Sequence, residues 1–278
     1  MSAAPSVGEA PGLDAYLAEL ETRLQAAVAS HPGLVSVVGA EALSAGGKRL
    51  RPLLVFLSSD PHGEPPYAAG VAVELVHMAT LVHDDLIDGA EVRRGKTAAW
   101  SEHGALAAKT VGDYLFSRAF AELAATRDPA NLAILADACL SLVRGEAVQR
   151  RQLHDPDTPV EAYLERCALK TASLFGAACL LGAGPGGRHL GAFGRALGIA
   201  FQIIDDILDV TQTTEKLGKS AGKDVTAKKA TYPAVIGLEK SRSEARRLTQ
   251  HAHESLKVFG AKADVLRALA THLLEREY

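Results

Sequence analysis

Cysteine is scarce in this chain of 278 residues: Cys139, Cys167 and Cys179 are the only three, and none belongs to a Cys-x-x-Cys pair. An odd, scattered set excludes a disulfide framework and offers no ligand set for structural zinc, so a reducing, cytoplasmic setting is expected. Aromatic residues make up 5% of the chain, and tryptophan occurs once. With Ala and Leu carrying much of the 47% apolar content, helices packed on helices are favoured over sheets. No apolar run approaches the roughly 18 residues needed to span a bilayer; the longest lies around Ala172 to Ala183. The N-terminus lacks a basic stretch followed by an apolar one, so no secretory signal is read there. Excess charge is lacking too, since 30 Lys+Arg against 33 Asp+Glu leave a net charge of −3 and no general attraction to nucleic acid. Neither a Gly/Ser linker nor a composition shift divides the chain. One domain over residues 13–278 is expected, after a loose tail of residues 1–12.

What is present is helical periodicity, as in Leu13, Leu17, Leu20 and Leu24, or Val265, Leu266, Leu269 and Leu273. No segment shows sustained strand alternation. Pro and Gly clusters at Ser58–Pro66, Arg127–Pro129, Asp155–Pro159 and Gly182–Gly187 mark the breaks. Thr158-Pro159-Val160-Glu161 predicts a helix start with an N-cap hydroxyl, a proline at the first helical position and a capping-box glutamate. Another start is expected at Pro52 after an extended Arg51, because the residue before proline is pushed out of the helical region. The pattern predicts about nine or ten helices, with one longer polar loop from Thr211 to Thr231.

Two segments resemble each other: His83-Asp84-Asp85-Leu86-Ile87-Asp88 and Ile204-Asp205-Asp206-Ile207-Leu208-Asp209, each an Asp-Asp-x-x-Asp within an apolar helical stretch. A helix turns by roughly 100° per residue, so Asp84 and Asp88 share a face, and so do Asp205 and Asp209. Clustered carboxylates in apolar surroundings repel one another and are costly to desolvate, so they call for cations. Magnesium suits them, since it takes a few carboxylates together with waters and phosphate oxygens. Either cluster alone reads more readily as a solvated acidic patch at a helix end than as a site. The second copy, with Gln202 one turn before Asp206, and the apolar flanks of both are hard to explain as surface.

Basic residues complement the acids. Gly46-Gly47-Lys48-Arg49-Leu50-Arg51-Pro52 is a glycine-flexed basic loop leading into a helix, suited to wrapping a phosphate. His77 stands two turns before Asp84 on the same face, and Arg93-Arg94 follow Asp88 closely. Lys170, Lys219, Lys223 and Lys229 are further candidates, whereas Lys216 and Lys228 read as solvated charges. His83 points away from Asp84 and is expected to bond a neighbour, and the cysteines read as small core residues.

Together with Gly145-Glu146-Ala147-Val148-Gln149, Lys170-Thr171, Phe201-Gln202 and Gly218-Lys219, these motifs resemble the trans-polyprenyl diphosphate synthases over about residues 40 to 278. The resemblance implies an all-α, single-domain helical bundle around a deep central cavity, the class I isoprenoid synthase fold, as a homodimer. It implies condensation of isopentenyl diphosphate with an allylic diphosphate, with Lys48, Arg51, His77 and Arg94 at the isopentenyl site. Arg93, Lys170, Thr171, Gln202, Lys219 and Lys229 would contact the allylic diphosphate. Asp84 and Asp88 would hold two of three magnesium ions and Asp205 the third, with Asp85, Asp206 and Asp209 in direct or water-bridged support. The departing diphosphate would take up the final proton. A class I terpene cyclase would not need Lys48, Arg51 and His77, and a non-catalytic subunit tends to lose acids or bases that are all present here.

Product length is expected to depend on Thr80, Ala79 and Val76, which precede Asp84 on its helix. In the family, short-chain members commonly place a bulky aromatic at one of the first two positions. Both are small here, and the first cluster lacks the two-residue insertion of many bacterial farnesyl diphosphate synthases, so a geranylgeranyl or longer product is expected. Lys229-Ala230-Thr231-Tyr232-Pro233 and the terminal Arg276-Glu277-Tyr278 look more like short-chain enzymes and keep a farnesyl product as the alternative. A deeper stop near Tyr114, Leu115, Phe116 and Phe120 competes evenly with ordinary core contacts there.

Overall fold

The computed structural model describes residues 7–152, 158–184, 186–211 and 231–275. The described chain is almost wholly helical. A 3-10 turn at Val7–Glu9 comes first, followed by α1 (Leu13–Ala29), α2 (Leu34–Ser44), α3 (Leu50–Ser58) and α4 (Tyr67–Asp88). A hairpin of β1 (Val92–Arg93) and β2 (Lys96–Thr97) leads to α5 (Ala99–His103), α6 (Ala105–Ala124) and α7 (Pro129–Gln152). Next come α8 (Val160–Cys167), a π-helical turn at Ala168–Ala172, α9 (Ser173–Ala183) and α10 (Arg188–Thr211). The chain closes with α11 (Tyr232–Ile236), α12 (Leu238–Ser255), a 3-10 stretch at Lys257–Ala263 and α13 (Asp264–Glu275). Ala10 is buried and Val7 lies against the core.

α4 sits in the middle, touching α1, α2, α3, α5, α6, α7 and α9. Its residues Ala69 to Val76, with Met78, Ala79 and Val82, are all buried, as a helix surrounded by helices requires. Each fully buried Leu or Val contributes roughly 1.5–3 kcal/mol, so this helix has strong reason to stay where it is. It stops at Gly89, which takes the left-handed conformation (φ 64°) while Ala90 N–H bonds back to Asp85 O at 2.9 Å. That stop leaves Asp88 exposed at the helix end. A second apolar cluster, with Tyr163, Ile203, Ile204, Ile207, Tyr232 and Leu248, joins α8, α10, α11 and α12 beneath the second acidic motif.

Several local expectations change. Arg51 is helical, not extended: α3 begins at Leu50 behind a left-handed Arg49 (φ 47°). Pro52 then falls in the first turn, where its missing N–H would have had no helical partner anyway. At α8 the cap residue is Pro159, one place ahead of the first helical position expected for it. The hairpin was not expected at all. Its turn residues, Arg94 and Gly95, both have positive φ (50° and 76°), as a two-residue hairpin loop of type I′ requires.

Candidate active site

The first acidic motif occupies the last turns of α4. Asp84 is partly buried, Asp85 buried and Asp88 exposed. Burial, and then the neighbouring carboxylates Glu146 and Asp88, raise the Asp84 carboxyl above the usual range, while Lys170 opposes them. Arg93 Nε donates to Asp85 Oδ2 at 2.7 Å and ties the hairpin to α4. Asp85 Oδ1 is buried with no hydrogen bond. His83 faces the other way, its Nε2 3.3 Å from Lys109 O and its ring stacked on Phe116, over a glycine at 112 that leaves room for nothing larger.

The second motif, on α10, is built differently. Asp206 is buried and both its oxygens are taken: Oδ1 accepts from Gln202 Nε2 at 2.9 Å, and Oδ2 from Tyr163 Oη at 2.6 Å and Tyr232 N–H at 2.9 Å. Asp206 thus holds α8 and α11 to α10, with Gln202 bonding it from one turn earlier on α10 itself. Asp205 is partly buried, and Asp209 is 2% exposed.

The π-helical turn joins the two motifs. Lys170 Nζ reaches Glu146 Oε2 at 2.5 Å and Asp84 Oδ1 at 3.4 Å, while Thr171 Oγ1 donates to Gln202 Oε1 at 2.9 Å. Adjacent residues thus address different acidic clusters. The turn is pressed from both sides: a Cβ at Gly145 of α7 would lie 2.6 Å from Lys170 N, and one at Gly198 of α10 would lie 2.6 Å from Ala172 Cα. π-Turns of this kind are frequent at functional sites.

The basic side lies a little up α4. Burial, followed by Arg51, Arg94, Arg93 and Arg49, holds the His77 imidazole well below its ordinary 6.5, so it is neutral at pH 7. Burial brings the Arg51 guanidinium down to about 10, opposed by Glu74 and assisted by Arg94. It stacks over Phe175, and its Nε is buried with no hydrogen bond. Arg49 is held by the buried Glu74 (3.0 Å) and by Glu21, and Arg94 donates to Gly46 O across the basic loop. Four guanidinium groups around one neutral imidazole form a concentrated positive field that a polyanion would neutralise. Lys48 is exposed on the same loop, and Lys219 and Lys229 lie outside the described residues.

Thr80 is partly buried, with Oγ1 donating to His77 O at 2.7 Å; Ala79 and Val76 are wholly enclosed in the core. Tyr114 bonds Ala27 O at 3.1 Å and Ser30, which assigns it to the contact with α1. Reading the sequence missed Tyr163, Glu74 and Arg150. For Arg150 a signal existed, the four-residue spacing from Glu146 that brings the two side chains together on α7.

These groups fit hard cations. The acids offer pairs on two helices and no closed cage; among the described residues only Glu41, Glu102 and His103, elsewhere, bring three ligating atoms within 4.8 Å of one another. Open carboxylate pairs leave coordination positions for water and phosphate oxygens, which is magnesium's preference.

An all-helical body with acids on two helices, one π-turn touching both and an arginine cluster beside them defines a diphosphate-handling isoprenoid synthase. The polyprenyl synthetase family profile matches residues 34–270, and the chain belongs to that family. It is 37% identical to heptaprenyl diphosphate synthase component 2 of Geobacillus stearothermophilus, over 94% of this chain and 84% of that one. It is 41% identical to the chloroplastic geranylgeranyl pyrophosphate synthase 11 of Arabidopsis thaliana, over 83% and 71%. The crystal structure of a polyprenyl synthase from Caulobacter crescentus CB15, complexed with calcium and isoprenyl diphosphate, superposes with a TM-score of 0.90 at 30% identity, covering all of both chains. The protein is a prenyl diphosphate synthase with the all-α isoprenoid synthase fold. No described helix is long and apolar enough to cross a membrane.

Proposed function

We propose that the chain condenses isopentenyl diphosphate with an allylic diphosphate, releasing diphosphate and giving an all-trans polyprenyl diphosphate of geranylgeranyl length or longer. The observation that carries this reading is the π-turn whose Lys170 faces Asp84 while Thr171 bonds Gln202, so that one element contacts both acidic helices. Asp84, Asp88, Asp205 and Asp209 would hold the magnesium ions, which supply fixed positive charge for the leaving diphosphate. Lys170, Thr171, Gln202 and Arg93 would orient that diphosphate, together with Lys219 and Lys229. Charge positioned before the carbon–oxygen bond breaks stabilises the separating cation and diphosphate without reorganisation. Lys48, Arg51, His77 and Arg94 would hold isopentenyl diphosphate, with neutral His77 as a hydrogen-bonding group. Incubation with magnesium, farnesyl diphosphate and labelled isopentenyl diphosphate tests the reading: label in a longer diphosphate supports it, and label in none sinks it. Lys48→Ala should raise the Michaelis constant for isopentenyl diphosphate.

The finer claim on length rests on Thr80, which shares the Asp84 face and carries no bulk, and on relatives named as geranylgeranyl and heptaprenyl synthases. Thr80→Phe should shorten the product; unchanged products would mean that the tail runs elsewhere. A homodimer is supported by the exposed apolar Leu106, Leu140 and Val143 on α6 and α7, at 78%, 56% and 66% exposure. One relative is named as a component, so light scattering on the purified chain decides between a self-sufficient dimer and a need for a second subunit.

A further inference from the structure

Lys170 does not stand alone. Glu146, one turn before Arg150 on α7, accepts from Lys170 through Oε2 at 2.5 Å and from Arg150 Nε through Oε1 at 3.2 Å. Arg150 Nη2 in turn donates to Ile87 O at 3.2 Å, in the last turn of α4 between Asp84 and Asp88. Lys170 completes the circuit by reaching Asp84 Oδ1 at 3.4 Å. The contacts therefore form a closed ring: α4 backbone, Arg150, Glu146, Lys170 and back to the Asp84 side chain on α4. A lysine on its own is a flexible four-carbon stem with freely turning donors. A ring that begins and ends on one helix fixes where its ammonium sits relative to the first acidic cluster.

The burial pattern agrees. Glu146, Lys170 and Asp84 are each about one-fifth exposed, at 21%, 21% and 23%, while Arg150 at 45% forms the outer link. Gly145, directly before Glu146, is what lets α7 approach the π-turn, since any Cβ there would meet Lys170 N and Cα within 3 Å. α7 thus supplies both the close approach and the carboxylate that exploits it.

We infer that Glu146, held by Arg150, is a positioning residue that sets the Lys170 ammonium over the first acidic cluster for the allylic diphosphate. The inference rests on the synthase reading above and deepens it. Glu146 touches no reacting atom; it acts through Lys170. Partners that orient a group at a metal or anion site typically cost about 10–100-fold in affinity or activity when removed. Glu146→Ala should therefore lower kcat/KM for farnesyl diphosphate about 10-fold or more, while the Michaelis constant for isopentenyl diphosphate, bound by other residues, stays within about two-fold. Glu146→Gln keeps an acceptor for Lys170 and should recover part of the loss.

The deciding experiment is a double-mutant cycle on the full chain with magnesium, farnesyl diphosphate and labelled isopentenyl diphosphate. Inorganic pyrophosphate binding by calorimetry in magnesium serves as a second readout. If Glu146 acts through Lys170, the Glu146→Ala/Lys170→Ala variant is no worse than Lys170→Ala alone in either measurement. Multiplying losses would overturn the inference, as would a Glu146→Ala variant equal to wild type. Glu146→Gln, nearly isosteric, replaces Glu146→Ala in the cycle if the alanine variant melts more than a few degrees below wild type. A wild-type chain that elongates nothing defeats the synthase reading itself, and that failure is read before any variant is compared.

Discussion

The two Asp-Asp-x-x-Asp motifs are spelled alike and are built for different work. In the first, Asp85 is bound by Arg93, itself one of the arginines beside His77, so the middle acid ties one functional element to another. In the second, Asp206 is bound by Tyr163 of α8 and the Tyr232 backbone of α11, so the middle acid ties scaffold helices together and bonds Gln202 beside it on α10. The outer acids differ as well: Asp88 lies exposed at the end of a helix that stops at Gly89, whereas Asp209 is buried in a helix that continues to Thr211. Spacing along a helix thus states which carboxylates share a face and leaves open which are already spent. That is decided by the donors brought from distant parts of the chain.

The largest effect expected is loss of turnover from the outer acids. Asp84→Ala or Asp205→Ala should lower steady-state turnover by at least about 10²–10³-fold, the scale of losing one preorganised electrostatic group. Melting temperatures should hold. An active variant would remove its aspartate from the ion-binding role and break the likeness between the motifs.

The next effect separates the middle acids. Asp206→Ala leaves a buried tyrosine hydroxyl, an amide and a backbone N–H without their acceptor, at a cost of about 3–5 kcal/mol in chemical denaturation. Asp85→Ala breaks one pair with a partly exposed arginine and should cost about 1–3 kcal/mol. Equal losses would erase the distinction. Tyr163→Phe removes a single charge-assisted bond to Asp206 and should cost about 1.5–3 kcal/mol with turnover little changed.

The smallest effect is a pH dependence on the basic side. The folded imidazole of His77 is held below its ordinary 6.5, so the unfolded chain binds a proton there that the folded chain does not. Stability from this group is present above about pH 6.5 and falls as the pH drops below it. His77→Gln should flatten that part of the stability profile relative to wild type; identical slopes in both proteins would mean that His77 protonates freely within the fold.

Much of this was legible in the residues. The acids, Gln202 on its own turn before Asp206, and the long helices followed from spacing, because each is a property of one helix. The hairpin escaped because two-residue strands are too short to alternate, and its turn places Arg94 where asparagine or glycine is usual. The π-turn escaped because it depends on α7 and α10 pressing on it through Gly145 and Gly198, which no local pattern encodes. For the same reason the bond that Asp206 accepts from Tyr163, 43 residues away in sequence, could not be foreseen. The three cysteines, with Cys167 and Cys179 buried and Cys139 partly so, are free thiols as expected.

On the proposed reading, Asp205 holds ions while its neighbour Asp206 holds the fold. Turnover per folded molecule, measured side by side for Asp205→Asn and Asp206→Asn, tests it most directly. Asp205→Asn should melt like wild type and not turn over, and Asp206→Asn should melt earlier while its folded fraction still works. An active Asp205→Asn, or an Asp206→Asn as stable as wild type yet inactive, would contradict it.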